Sequence, residues 1–101
     1  MAIIDISVVP VGTQSPSVSQ YVAGAIRILK NEPGIKYQLT PMNTIIEGDL
    51  QQLLSLAQRM HASAFDAGAM RVVTTIRIDD RRDKPLTMNG KIEAVKDKFR
   101  S

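Results

Sequence analysis

From residue 3 to residue 11 the chain sets Ile4, Ile6 and Val8 against Asp5, Ser7 and Val9, the period of two that turns one face of a strand toward a core. After Gly12 the period lengthens. Val18, Tyr21, Val22, Ala25, Ile26 and Leu29 recur at helical spacing behind an S-x-x-Q box made by Ser17 and Gln20. This predicts a helix running to about Glu32, stopped by Pro33 and Gly34. Ile35, Tyr37 and Leu39 then alternate with Lys36, Gln38 and Thr40, and Thr44 to Gly48 repeats that period after a short link through Pro41, Met42 and Asn43. The two runs predict a hairpin. Asp49 stands where a helix cap belongs, with Leu50, Leu53, Leu54, Ala57, Met60 and Ala64 as one apolar stripe and Gly68 as the stop. Arg71 to Asp79 reads as a fourth strand, Val72, Thr74, Ile76 and Ile78 on one face and Val73, Thr75, Arg77 and Asp79 on the other. A charged loop leads to a last helix from about Asn89 to Arg100, carrying Ile92, Val95 and Phe99.

The order β-α-β-β-α-β plus a terminal helix defines an α+β, ferredoxin-like sandwich: an antiparallel four-stranded sheet with both main helices on one face, as a single domain over residues 1–101. The opposite face is left open. By alternation it should carry Asp5, Ser7 and Val9, Gln38 and Thr40, Ile45 and Glu47, and Val73, Thr75 and Arg77. Such a face is too apolar for an indifferent wet surface and too polar for a plain core, a mixture suited to self-association around polar cavities for a small ligand.

Composition narrows the chemistry. In 101 residues, 44% hydrophobic, aromatics make up only 4%, so the core is aliphatic and base stacking on the sheet has little to work with. Tyr37 alone lies on a strand, and its alternation places it with the buried set. Without cysteine, thiolate nucleophiles, disulfides and Cys-ligated metals are excluded. The net charge of +3 is spread among mixed signs, as where Arg81 and Arg82 sit between Asp80 and Asp83, and is no basic patch. That D-D-R-R-D run reads as a salt-bridged loop, since interleaved arginines neutralise acids that might otherwise hold a divalent ion. His61 has no H-E-x-x-H partner and reads as a surface or interface residue. The start M-A-I-I-D-I-S-V-V lacks a basic leader, and Asp5 interrupts its apolar run. A cytoplasmic protein without metal or cofactor is expected, with neither nucleic acid nor membrane as partner.

Glu47 stands out because a carboxylate on an apolar strand is costly to bury unless it meets a donor or a cation. It could accept hydrogen bonds from a ligand amino group, or pair with Arg77 across the sheet. Thr40, Met42 and Thr44 bracket the hairpin tip with hydroxyls and a pliable thioether, although threonine in a strand also serves β-propensity alone. Ser17 has a sufficient role as helix cap, and a helix start can also present amides to a polar ring edge.

These segments resemble the thiamine-binding protein family, small ferredoxin-like proteins related to the YkoF-like thiamine and hydroxymethylpyrimidine binders. The resemblance rests on S-V-S-Q-Y-V after the proline-glycine turn that begins at Pro10, P-M-N-T-x-x-E-G at Pro41 to Gly48, R-V-x-T-x-I-x-I-D-D-R-R at Arg71 to Arg82, and G-K-x-x-x-V at Gly90 to Val95. It implies a non-catalytic homotetramer of sheet-mediated dimers, a carrier or sensor that binds thiamine or its pyrimidine moiety near subunit contacts. Carried over residue by residue, it makes Ser17, Thr40, Met42, Thr44 and Glu47 the ligand-binding candidates. Asn43 departs from the small residue common in the family and could narrow the tip of the pocket. Two other readings remain: an oligomer whose open face serves assembly alone, and an acylphosphatase-like hydrolase, for which G-T-Q-S-P-S lacks the arginine that likeness would require.

Overall fold

The computed structural model describes residues 1–100; Ser101 lies outside the described residues. Four strands, β1 (Ala2–Pro10), β2 (Lys36–Leu39), β3 (Thr44–Gly48) and β4 (Val72–Asp80), form one antiparallel sheet in the order β2-β3-β1-β4. The helices α1 (Ser19–Leu29) and α2 (Leu50–Asp66) pack on one face, and α3 (Met88–Arg100) follows β4. This is the ferredoxin-like sandwich that the order of periods implies.

The core forms because the alternation of β1 is met by both of its neighbours. Ile4 lies opposite Ile46 and Ile78, and Ile6 opposite Thr44 and Ile76, so these side chains share the helix-covered face. Ile4, Ile6 and Ile46 are buried with Ala25 and Leu29 of α1 and Leu53, Leu56, Ala57 and Met60 of α2. Gly48 marks a close approach. A Cβ there would stand 3.0 Å from Ile35 Cγ2 and 3.3 Å from Leu53 Cδ2, so the side chains of Ile35 and Leu53 would have to give way to admit it.

Four expectations need correction. The S-x-x-Q box does not cap α1: the helix starts one residue later, at Ser19, with Val18 at its N-cap and no side-chain cap, and the Ser17 hydroxyl meets Ser19 Oγ at 3.3 Å instead. Helix α1 also ends at Leu29, short of Glu32. On α2, Leu53, Ala57, Met60 and Ala64 are buried as expected, but Leu56 takes the place of Leu54, which is exposed. Tyr37 points to the covered face, opposite Ile46, yet is exposed because β2 is an edge strand lying beyond the helices. The other end signals hold. Asp49 accepts a hydrogen bond from Gln52 N at 3.3 Å, and Gly68 takes φ +105° just past the C-cap of α2.

Candidate functional site

The face away from α1 and α2 carries Ile3, Asp5, Ser7 and Val9 of β1, beside Ile45 and Glu47 of β3, Lys36 and Gln38 of β2 and Val73, Thr75, Arg77 and Asp79 of β4. It is not bare along its whole length. At the end near Ile3 the chain returns as α3, and between its first turns and the sheet lies a cleft of about 390 Å³. Ile3, Ile45 and Ile92 give it apolar walls, and Asp5, Gln38, Arg77, Asp79 and Lys91 supply its polar groups.

The charges in this cleft are paired. Arg77 Nε donates to Asp5 Oδ2 at 2.9 Å while its Nη2 lies 2.6 Å from the same oxygen. The hydrogen bond first, and the opposite charge second, raise the Arg77 guanidinium above its ordinary pKa. Lys91 Nζ bridges to Asp79 Oδ2. The Asp5–Arg77 pair lies within the sheet, across β1 and β4, while Lys91–Asp79 ties α3 to β4 across the cleft. Being part-exposed, they add little to folding stability and stay open to exchange with a charged ligand.

Glu47 lies beside the cleft, in an adjoining recess that shares Gln38 and Met88 with it. The carboxylate is buried, and its Oε2 accepts a 2.7 Å hydrogen bond from the backbone N–H of Met88, the first residue of α3. Thr87 caps the same helix by accepting from Gly90 N at 2.9 Å. The pairing of Glu47 with Arg77 across the sheet is not made, since Arg77 is held by Asp5.

The remaining candidates stand elsewhere. Thr44 is buried and faces the helix layer opposite Ile6, three residues along β3 from Glu47, a distance of about 10 Å. Thr40 closes the hairpin tip: its hydroxyl lies 2.7 Å from Asn43 Oδ1 and 3.0 Å from the Asn43 carbonyl oxygen, and accepts from Asn43 N. Asn43 therefore binds the turn internally. Met42 is 84% exposed at the tip. Ser17 lines a third recess of about 410 Å³, formed with Thr13, Gln14 and Gly68 beyond the far end of β1. The structure thus brings Thr40, Met42 and Thr44 together at one end of the hairpin and places Glu47 at the other.

Alternation alone could have pointed to the polar lining of the cleft, since Asp5, Gln38 and Arg77 share the open face. Asp79 and Lys91 could be joined to them only by knowing where α3 turns back. The D-D-R-R-D loop is salt-bridged, Arg81 to Asp83 and Arg82 to Asp80. His61 Nδ1 lies 2.6 Å from Thr74 Oγ1, and its ring meets Phe65 edge-on. Among the described residues no cluster of acids or histidine could hold a metal ion, and no helix is long and apolar enough to cross a membrane.

The chain is thus a ferredoxin-like domain with a half-open, charge-paired cleft on the free face of its sheet. Residues 4–96 match the family described as thiamine-binding protein, and the chain belongs to that family. It is 54% identical over 98 residues to the UPF0045 protein YqgV of Bacillus subtilis, with 94% of each chain covered. To a UPF0045 protein of Methanothermobacter thermautotrophicus it is 40% identical over 96 residues, covering 94% of this chain and 96% of the other. Among solved structures, a hypothetical protein of Methanocaldococcus jannaschii superposes with a TM-score of 0.86 at 33% identity, covering 93% of this chain and 94% of that one. A Thermotoga maritima protein, provisionally assigned to thiamine biosynthesis or salvage, shares the fold with a TM-score of 0.75 at 23% identity, over 93% and 97% of the two chains.

Proposed function

We propose that this chain, a single domain over residues 1–101, binds thiamine or a related pyrimidine-containing molecule without catalysis, as a cytoplasmic homo-oligomeric carrier or sensor. Membership of a family named for binding supports this reading, as does the Thermotoga protein's provisional place in thiamine metabolism. The observation that carries it is the cleft beside Glu47, with aliphatic walls for a flat ring and two carboxylates, Asp5 and Asp79, in part-exposed ion pairs that a cationic heterocycle can exchange into.

Glu47 is the ligand residue put first, since its recess joins the cleft. Ser17, Thr40 and Met42 belong to the site in this reading through contacts between copies of the chain, where the exposed hairpin tip and the Ser17 loop meet a neighbour, and Thr44, buried against the helix layer, supports that tip from beneath. Calorimetric titration with thiamine, its phosphates and hydroxymethylpyrimidine tests the proposal. Saturable binding is expected, accompanied by a rise in melting temperature that corresponds to about 2.7 kcal/mol at a hundredfold excess over Kd. Absence of heat and of thermal shift with all of these ligands would leave assembly as the role of the open face.

A further inference from the structure

Helix α3 opens on Met88, Asn89 and Gly90, behind its Thr87 cap. Asparagine stands at positions 31, 43 and 89, and only Asn89 is followed by glycine. That pairing has a chemical consequence. With no side chain on the following residue, its backbone nitrogen is uncrowded and turns freely enough to reach the asparagine carboxamide. Asn89 is exposed, and its carboxamide makes no hydrogen bond among the described residues. By contrast, Asn43 Oδ1 is held 2.7 Å from the Thr40 hydroxyl.

The helix start itself demands the glycine. A Cβ on residue 90 would stand 2.8 Å from Thr87 Oγ1, the atom that accepts the 2.9 Å hydrogen bond from Gly90 N. This bond engages the nitrogen that would attack, and the 3.0 Å bond from Lys91 N to Thr87 O closes the same turn. Reaction therefore waits for the turn to open. Little opposes opening: no residue of α3 is buried, and its first turn is tied down by Glu47 through Met88 N and by Asp79 through Lys91. A helix of 13 residues with so little cover frays in water.

We propose that Asn89–Gly90 is a self-modification site, gated by the Thr87 cap, at which water converts the asparagine to aspartate and isoaspartate. When the turn opens, the Gly90 nitrogen gives its proton to solvent and attacks Asn89 Cγ. An N–C bond forms, and the carboxamide nitrogen leaves as ammonia. Water then opens the resulting succinimide. Cleavage of the bond to Cγ gives aspartate, while cleavage of the bond to the main-chain carbonyl carbon gives isoaspartate, whose backbone runs through Cβ. The sum is water consumed and ammonia released, with nothing oxidised or reduced. The two products act differently on α3. Aspartate in a first turn suits the helix dipole. Isoaspartate puts an extra carbon into the ring closed by Lys91 N and Thr87 O, so the turn cannot re-form with Met88 N aimed at Glu47. Asn89 borders the recess of Glu47, and α3 walls the adjoining cleft, so isoaspartate loosens that wall.

Peptide mass spectrometry of wild-type protein held at mildly alkaline pH tests this, with isoaspartate counted by an isoaspartyl methyltransferase and labelled S-adenosylmethionine. Residue 89 should gain the amide-to-acid mass difference and accept methyl groups, while Asn31 and Asn43 stay intact. Thr87→Ala should convert about fivefold faster, the typical worth of a helix cap. Hydrogen exchange should show the amides of Lys91 to Val95 losing protection in the aged protein but not in Asn89→Asp, which carries the new charge on an ordinary backbone. No conversion over a period in which a synthetic peptide of Lys84 to Ala94 reacts to completion overturns the proposal. Equal rates in wild type and Thr87→Ala overturn the gate, and unchanged α3 protection in isoaspartate-bearing protein overturns the effect on the helix.

Discussion

Glu47 and Met88 lie 41 positions apart and are joined by a 2.7 Å hydrogen bond from the Met88 backbone N–H to Glu47 Oε2. This contact explains how a carboxylate only 6% exposed is tolerated on an aliphatic strand: a charge-assisted bond, aimed at the positive end of a helix dipole, offsets its desolvation. It also makes Glu47 the link between the sheet and α3, so whatever occupies the neighbouring cleft is coupled to the orientation of that helix.

Replacing Glu47 by Ala removes this anchor while leaving the Thr87 cap in place. Hydrogen exchange should show the amides of Met88 to Lys91 losing protection, with those of β1 and β3 little changed apart from an overall destabilisation of about 1–3 kcal/mol. Glu47→Gln keeps an acceptor but loses the charge, and should sit between wild type and Ala in both readouts. If α3 keeps full protection in Glu47→Ala, the anchor is elsewhere.

At Gly48 the argument is steric. A methyl group there meets Ile35 and Leu53 at 3.0 and 3.3 Å, inside ordinary contact, so Gly48→Ala should destabilise the fold by about 1–3 kcal/mol in a urea titration. Loss of stability together with a normal m-value would mark overpacking. A stabilised variant would mean that α2 shifts freely.

The element order, the faces of all four strands and the Asp49 cap were legible because each rests on local periodicity or on a single residue's cap chemistry. Ile4, Ile6 and Val8 announce the covered face, and Asp5 with Arg77 the free one. The Ser17 box misled because two further serines compete for the same hydroxyl network, as the Ser17 to Ser19 contact shows. Tyr37 misled because alternation tells which face a side chain takes and not whether that face is covered at the sheet edge. The cleft itself was not legible. It depends on the return of α3, which is set by a bond between residues 47 and 88 that no local pattern encodes.

The Asp5–Arg77 pair should matter more for ligand choice than for folding. The Arg77 side chain is 77% exposed, so Arg77→Ala should leave the denaturant midpoint almost unchanged. In the proposed site it frees Asp5 for a cationic ring and removes a donor for phosphate. Calorimetry should therefore show thiamine monophosphate losing about tenfold in affinity relative to thiamine, the worth of one charge-assisted hydrogen bond. Equal losses for both ligands would place the phosphate elsewhere.

Arg81 holds the Asp83 carboxyl below its ordinary value of 3.8, chiefly by their hydrogen bond. A folded-state pKa that is depressed gives a contribution to stability present above the unfolded value and lost as pH falls through the folded one. Both groups are solvent-exposed, so screening keeps the effect on stability small, and the carboxyl itself is the better reporter. In an NMR titration Asp83 should show a midpoint below 3.8, moving up toward that value in Arg81→Gln or at high salt. Thermal melts of the two proteins should coincide above about pH 5, where the carboxyl is ionised in both folded and unfolded chains. A midpoint already at 3.8 in wild type would mean that the Arg81–Asp83 bridge is not held in solution.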